Sequence, residues 1–278
     1  MRYVLTTDAR EFAARTELLL SERIECNVLA TVLMRVLDGG LGEGAPLFAY
    51  GLGAGDEVGF AALRTPPWPL LASPLDDDAG AFVAQWLNDD PDVAGVSGAP
   101  ATARAIAAAW ASSTGGRTRT TMSEAMHVLD DVRDPPRPAP GALRLAHPGE
   151  RDLLVAWMED FIHEAGLVGA AQAGAMIDGS LRRQGLLVWD DGQPVSMIGV
   201  NPAVARVVRV GPVYTPPPHR CRGYAGSAVA AASRRALATV ADRCMLFTDL
   251  SNPTSNKIYA EVGYRRVGDW EEIEFELG

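Results

Sequence analysis

The stretch "PPPHRCRGYAGSAVAAASRRA", from Pro216 to Ala236, determines how the second half of the chain is interpreted. Three prolines lead into a turn with two arginines and several small residues, and an alanine-rich segment with helical spacing follows at once. The first turn of a helix leaves backbone N–H groups without partners and carries partial positive charge. Small residues let those N–H groups approach a ligand closely. The stretch therefore predicts a seat for an anion, most naturally a phosphate, at a helix start.

The residues before this seat, "RVVRVGPVYT", alternate like a strand until Gly211 and Pro212 interrupt the pattern. Proline cannot donate to a strand ladder, and the glycine before it favours a bulge. A strand disrupted there would separate from its neighbour. The backbone of Val213, Tyr214 and Thr215 would then be free to pair with an extended ligand rich in amide groups. An ordinary end of an edge strand is the alternative for this segment alone.

The residues after the seat, "CMLFTDLSNPTSNKIYAEVGYRRVG", add a strand and a short helix. Residues 244–249 are typical of a buried strand, and Asn252 begins a helix that carries Asn256 and Tyr259. Considered singly, Asn252 is explained as a helix N-cap and Tyr259 as a core tyrosine with a satisfied hydroxyl.

In this order, the broken strand, the Arg-x-x-Gly-x-Ala turn with its helix, the next strand and Asn-x-x-Ser-x-x-x-Tyr together resemble the GNAT acetyltransferase superfamily. Arg220, Gly223 and Ala225 match that family's Gln/Arg-x-x-Gly-x-Gly/Ala pattern, whose turn binds the diphosphate of acetyl-coenzyme A (acetyl-CoA). The motif match spans about residues 205–268, and the fold resemblance about 142–278. The resemblance implies contacts with the coenzyme at the following residues: Val213, Tyr214, Thr215, Arg220, Arg222, Gly223, Tyr224, Ala225, Gly226, Ser227, Asn252, Asn256 and Tyr259.

The resemblance also implies direct transfer of an acetyl group to a primary amine of a small molecule, amino acid or peptide. A backbone N–H near Val213 would hold the thioester oxygen, and Tyr259 would protonate the departing thiolate. The general base stays open, because many relatives use a glutamate on the broken strand where this chain has Arg206 and Arg209. The alternatives are a water chain or a residue of the first helix after the linker: Glu159, Asp160 or His163.

The organisation of the chain indicates two units of similar plan. The proline-rich "DVRDPPRPAPGA" predicts a stiff linker, and the strand-then-helix order of residues 2–20 recurs after it. We expect a mixed α/β (α+β) fold of two GNAT-like domains, each a twisted, mostly antiparallel sheet with a splayed central strand flanked by helices. The expected divisions are a degenerate domain at 1–134, a linker at 135–141 and a catalytic domain at 142–278. Two unrelated α/β domains are the alternative.

The first half lacks the features of the anion seat. Where a second copy of the loop is expected, "PLDDDAG" places three aspartates, which would repel a phosphate. "GVSGAPATARAIAAAWASS" contains no equivalent of the Asn-to-Tyr motif. "GLGAGDEVG" is followed by a strand pattern, so it predicts a hairpin turn and not a dinucleotide fingerprint. We therefore expect a first domain that does not bind the coenzyme.

Composition narrows the class of protein further. The net charge is −10, and residues 1–135 carry 10 arginines against 19 acidic groups, so nucleic acid is not an expected partner. No apolar run is long enough for a membrane span, and no signal peptide is recognised. The three cysteines indicate reduced thiols and a cytoplasmic location, and the four histidines have no spacing typical of a metal site.

Three questions stay open at this point. The chain is a monomer or a homodimer. The acyl group could differ from acetyl. The chain could also be a regulatory protein that binds a coenzyme A thioester without turnover.

Overall fold

The structure is a computed structural model that describes residues 1–39, 44–76, 79–167 and 170–277. The chain forms two compact units: Met1–Met126 together with Gly268–Gly278, and His127–Val267. The second unit is therefore one continuous segment, whereas the first is assembled from both ends of the chain. The division into functional domains at 1–134, 135–141 and 142–278 stays a prediction. No helix within the described ranges is long and apolar enough to cross a membrane.

The strands of the first unit lie in the order β1-β2-β3-β4-β5-β12-β6. Its core is rich in aromatic side chains. The rings of Phe60 and Phe82 meet edge to face, with their centroids 4.9 Å apart. The glycine-rich turn predicted as a hairpin joins β2 and β3, and the Gly53 N–H donates to the carbonyl of Glu57 across it at 2.9 Å, which confirms that prediction. The aspartates at 77 and 78 lie outside the described residues. The elements are β1 (Arg2–Thr6), α1 (Ala9–Glu22), α2 (Asn27–Leu37), β2 (Leu47–Leu52), β3 (Val58–Arg64), β4 (Leu70–Ala72), α3 (Ala79–Asp89), β5 (Gly95–Gly98), α4 (Pro100–Thr114), β6 (Arg117–Leu129) and β12 (Arg265–Glu276).

The strands of the second unit lie in the order β11-β10-β9-β8-β7. Side chains alternate between the two faces of a strand, so each strand contributes to two cores. Met197 and Tyr214 join the core beneath α5 and α6, while Ile198 and Val208 join the core beneath α7 and α8. The elements are β7 (Ala142–Leu145), α5 (Arg151–Glu164), α6 (Ala173–Arg182), β8 (Leu186–Asp190), β9 (Pro194–Val200), β10 (Val207–Tyr214), α7 (Tyr224–Thr239), β11 (Arg243–Asp249) and α8 (Pro253–Val262).

The order of elements is the same in the two series, β-α-α-β-β-β-α-β-α-β from β1 to β6 and again from β7 to β12. The senses of the ladders repeat as well. The first four strands of each series pair antiparallel in succession, and the fourth and fifth pair parallel. The prediction of a mixed α/β fold with two units of similar plan and mostly antiparallel sheets is therefore confirmed.

The proline-rich segment 131–141, which we call the strap, is attached to the second unit. The Arg133 N–H donates to the carbonyl of Val262 at 2.9 Å. The Ala139 N–H donates to the Ser227 hydroxyl at 2.9 Å, and Trp189 Nε1 donates to the carbonyl of Pro140 at 2.7 Å. The segment expected to be a stiff connector is thus held against the elements that it precedes.

Candidate active site

The irregular part of strand β10 begins where its pairing with β11 stops. β10 pairs parallel with β11 from Val207 to Arg209, and antiparallel with β9 at Val210. The β9 ladder then shifts register and resumes at Val213. The predicted interruption at Gly211–Pro212 lies within this shift. The strand itself continues to Tyr214, so β10 is bulged and not broken off.

The backbone beyond the shift presents groups to the side away from β9. The carbonyl of Tyr214 accepts a hydrogen bond at 3.0 Å from the hydroxyl of Ser196 on β9, so this carbonyl faces β9. Backbone groups of successive residues in a strand point to opposite edges, and Val213 and Thr215 therefore face the other edge. There the carbonyl of Thr215 accepts from Nε of Arg220 at 2.8 Å. Of the three residues predicted to pair with the coenzyme, two have backbone directed to that edge.

The predicted anion seat lies at the start of α7. Gly223 is its N-cap residue, with a positive φ of 82°, and the Ser227 N–H makes the first helical bond, 3.0 Å to the carbonyl of Gly223. The N–H groups of Tyr224, Ala225 and Gly226 precede that bond, and in the described part of the chain no acceptor is recorded for them. Three N–H groups at the positive end of a 16-residue helix suit a dianionic diphosphate.

Close packing also explains the glycine at position 223. A Cβ atom added there would lie 2.8 Å from the carbonyl oxygen of Arg137 in the strap, and the left-handed backbone disfavours any side chain. At Gly226 an added Cβ would meet side chains of Pro135 and Ile258 at 3.7 Å, which is ordinary contact. Gly223 is therefore required by conformation and by space, whereas Gly226 is not.

Several side chains of the loop have partners within the protein. The Tyr224 ring is buried, and its hydroxyl donates to Asp191 at 2.6 Å, a bond that raises the pKa of Tyr224 above its ordinary value. Arg222 has a smaller, opposite effect and lowers the pKa of Tyr224. Ser227 is buried and holds the strap. These three residues therefore have structural contacts, and their coenzyme roles stay predictions.

Arg220 belongs to a network that the sequence did not indicate. One of its terminal nitrogens donates to both carboxylate oxygens of Glu164, at 2.8 and 2.7 Å, and the Tyr214 hydroxyl donates to the same carboxylate at 3.0 Å. The Arg220 guanidinium carbon also lies 5.6 Å from the centre of the Tyr214 ring. Burial, followed by the bond to Glu164, raises the pKa of Tyr214 to about 12.

The three candidate bases on α5 are exposed. The charge of Asp160 contributes, after burial and the effects of Glu164, to the raised pKa of Tyr214. No bond from Glu159 or His163 to the site is recorded among the described residues. The sequence missed Glu164, one helical turn after Asp160, because its partner Arg220 lies 56 positions away.

The short helix α8 carries the remaining predicted residues. The Asn252 side chain accepts from the Ser255 N–H at 3.0 Å and is the N-cap, while Asn256 donates to the carbonyls of Asp249 and Asn252 at 3.0 and 2.8 Å. Tyr259 is 9% exposed and packs edge-on against a neighbouring tyrosine. The first turn of α8 is therefore fixed by the two asparagines, and the proposed roles of all three residues toward the coenzyme stay predictions.

Two further observations concern a buried hydroxyl group and the side chains that could bind a metal ion. The hydroxyl of Thr248, near the end of β11, is buried and has no hydrogen-bond partner among the described residues. Nor does any group of three His, Cys, Asp or Glu side chains in the described ranges have an arrangement that could hold a metal ion.

Comparisons with known proteins give one family match and several similar solved structures. The model of the family described as "Acetyltransferase (GNAT) family" matches residues 152–264. No curated protein sequence matches the chain. A GNAT acetyltransferase from Colwellia psychrerythraea has 10% identity and a TM-score of 0.62, with all of both chains covered. A tandem GNAT protein from the clavulanic acid biosynthesis pathway has 16% identity and a TM-score of 0.61, covering 100% of this chain and 98% of its own.

A third solved structure, a GCN5-related N-acetyltransferase from Sphaerobacter thermophilus, has 16% identity and a TM-score of 0.55, with 99% and 96% of the two chains covered. At such identities the likeness concerns the fold, and it extends over both units. The family match covers the elements from α5 to α8, which carry the bulged strand and the glycine-started helix. Residues 152–264 therefore match the GNAT acetyltransferase family, within a two-unit fold that is similar to that of a solved tandem GNAT protein.

Proposed function

We propose that the protein is an acetyl-CoA-dependent N-acetyltransferase with one active site, located in the second unit. The acceptor is a primary amine of a small molecule, an amino acid or a peptide, and the amine attacks the thioester directly. The observation that carries the proposal is the edge of β10 beyond its pairing with β11, to which Val213 and the N–H of Thr215 are directed. The glycine-started helix α7 begins nine residues after Thr215. A linear ligand with amide groups at one end and a diphosphate at the other suits this order of backbone edge and helix start.

The residues have the following roles in this proposal. The N–H groups at the start of α7 hold the diphosphate. The backbone of Val213 and the N–H of Thr215 align the arm that carries the thioester. Acetyl-CoA supplies the activated acetyl group. Val213, at the bulge, offers its N–H to the thioester oxygen, and Tyr259 supplies a proton to sulfur as the C–S bond breaks. The amine loses its proton to a residue of α5, which is Glu159, Asp160 or His163, or to water.

Two measurements on the full chain test the proposal. The first is thermal unfolding with and without acetyl-CoA, for wild type and Gly223→Glu. Ligand at about a hundred times its dissociation constant adds roughly 2.7 kcal/mol of stability, which raises the midpoint by several degrees. We expect that shift in wild type and its loss in Gly223→Glu, where a negative side chain enters the seat. Absence of a shift in folded wild type would refute coenzyme binding.

The second measurement is release of free thiol from acetyl-CoA with a panel of primary amines. Release that depends on the amine supports transfer. Binding of the thioester without release with any amine would instead support the regulatory alternative. Faster release from a longer acyl thioester than from acetyl-CoA would assign another acyl donor.

A further inference from the structure

The strongest unassigned feature of the site is the network that joins α5 to the end of β10. Glu164 lies in the last turn of α5, and Arg220 lies in the loop that precedes α7. The Arg220 side chain reaches the Thr215 carbonyl with Nε and the Glu164 carboxylate with a terminal nitrogen. The same carboxylate accepts from the buried Tyr214.

The directions of these bonds limit what Arg220 can do. A guanidinium has a fixed planar set of donors, and here two of its nitrogens serve protein acceptors. Its bond to Thr215 falls on the edge of β10 that faces away from β9. Arg220 therefore occupies one acceptor of that edge and fixes the position of the chain just before the seat.

Glu164 acts through this arginine. Its carboxylate receives two hydrogen bonds from Arg220 and one from Tyr214, so one group restrains a strand residue and a loop residue together. Charge-assisted bonds of this kind are stronger than neutral ones. One terminal nitrogen of Arg220 makes both bonds to the carboxylate, and the bond from Nε to Thr215 restrains the orientation of the guanidinium. The two side chains are half-exposed, at 42% for Arg220 and 43% for Glu164. The ion pair therefore contributes more to the orientation of Arg220 than to the stability of the fold.

On the basis of the proposed coenzyme site, we propose that Glu164 is a positioning residue for coenzyme binding. Arg220 acts as a brace between Glu164 and Thr215 and is not a ligand of the diphosphate. The diphosphate is then held by the backbone N–H groups of α7. Glu164 sets the spacing between the edge of β10 and that seat.

The two roles of Arg220 predict opposite effects of one substitution. If Arg220 is a brace, Glu164→Gln loosens it and weakens acetyl-CoA binding about tenfold, the effect of losing one charged hydrogen bond. If Arg220 binds the diphosphate directly, Glu164→Gln releases it from a competing carboxylate, and binding is unchanged or tighter.

The test is the dissociation constant of acetyl-CoA, by calorimetry on the full chain, for Glu164→Gln, Arg220→Gln and the double variant. We expect each single variant to weaken binding by a similar factor and the double variant to be no weaker than either, because both remove one unit. Arg220→Lys should behave like Arg220→Gln, since an ammonium cannot bridge both acceptors in the arginine geometry. Near-normal affinity in Arg220→Lys, or unchanged or tighter binding in Glu164→Gln, would overturn the proposal.

Matched controls separate this effect from changes in net charge or fold. Asp152→Asn removes one exposed carboxylate from the same helix, and Arg235→Gln removes one exposed arginine from α7. Both should bind acetyl-CoA like wild type. Thermal unfolding midpoints without ligand identify any variant that fails to fold. If Glu164→Gln fails to fold, Glu164→Asp replaces it, with the same expected loss of affinity for acetyl-CoA. Failure of folded wild type to bind acetyl-CoA would refute the proposed function itself, a result distinct from normal binding by Glu164→Gln.

Discussion

The strap lies against the start of α7, and we predict how much this packing affects protein stability by comparing substitutions at two glycines. Gly223 has a φ of +82°, and a Cβ added there would lie 2.8 Å from the Arg137 carbonyl oxygen. Gly192 has a φ of +78°, and a Cβ added there would meet nothing within 4 Å. Both glycines have the left-handed conformation, but only Gly223 lies against the strap. Gly223→Ala and Gly192→Ala are therefore a matched pair.

Both substitutions place a Cβ in the left-handed region, which costs about 1–2 kcal/mol. Only Gly223→Ala must also displace a backbone oxygen by roughly half an ångström, and overpacking of this kind costs about 1–3 kcal/mol. We expect Gly223→Ala to be less stable than Gly192→Ala by about 2 kcal/mol. At about 2–4 °C per kcal/mol, its unfolding midpoint should be lower by about 4–8 °C.

The assay is thermal unfolding of the three full-length proteins without ligand, followed by circular dichroism. Gly223→Ala should also lose affinity for acetyl-CoA, because displacement of the loop moves the N–H groups of the seat, whereas Gly192→Ala should retain it. Equal midpoints for the two variants would refute the packing of the strap against Gly223. Equal loss of affinity in both would refute the claim that the effect is local to the seat.

Three further predictions concern chemistry and pH. Tyr259→Phe should slow thiol release about 10²–10⁴-fold with little change in the dissociation constant of acetyl-CoA, and unaltered turnover would remove Tyr259 from the mechanism. Exposed Cys221 should react with a thiol reagent much faster than Cys244, since burial raises the Cys244 pKa to about 11, and acetyl-CoA should protect Cys221. Asp130 bonds two arginines that lower its pKa, so its contribution to stability is present above its ordinary pKa and lost as the pH falls through the lowered value. Asp130→Asn should therefore reduce stability at pH 7 and show a smaller loss on acidification, measured as denaturation midpoints; an unchanged acid response would contradict this.

The sequence predicted the local elements of the site well, because each depends on neighbouring residues. Gly211–Pro212 marked the register shift of β10, and Gly223 marked the start of α7. The contacts that fix those elements in space join distant residues, and no spacing in the sequence indicates them. Glu164 was overlooked for this reason, although Asp160, one turn earlier, was considered.

The strap shows a second limit of reasoning from composition. Proline-rich, polar segments are typical of connectors, and the pattern predicted one. The structure ties the segment through main-chain groups: the N–H groups of Arg133 and Ala139 and the carbonyl of Pro140 make hydrogen bonds to the second unit. Backbone groups are the same at every residue, so their use in packing leaves little trace in the sequence.

The placement of β12 has a consequence for how the protein is made. Gly268–Gly278 belongs to the first unit, where β12 pairs with β5 through Ile273 and Val96. During synthesis, every residue of the second unit leaves the ribosome before residues 268–276, the part of β12 that belongs to the first unit. The unit that begins the chain is therefore the last whose sheet can be completed. A fragment of residues 142–278 would carry this strand without its partner β5, and such an unpaired edge promotes aggregation. The continuous segment His127–Val267 is the better starting point for isolating the second unit.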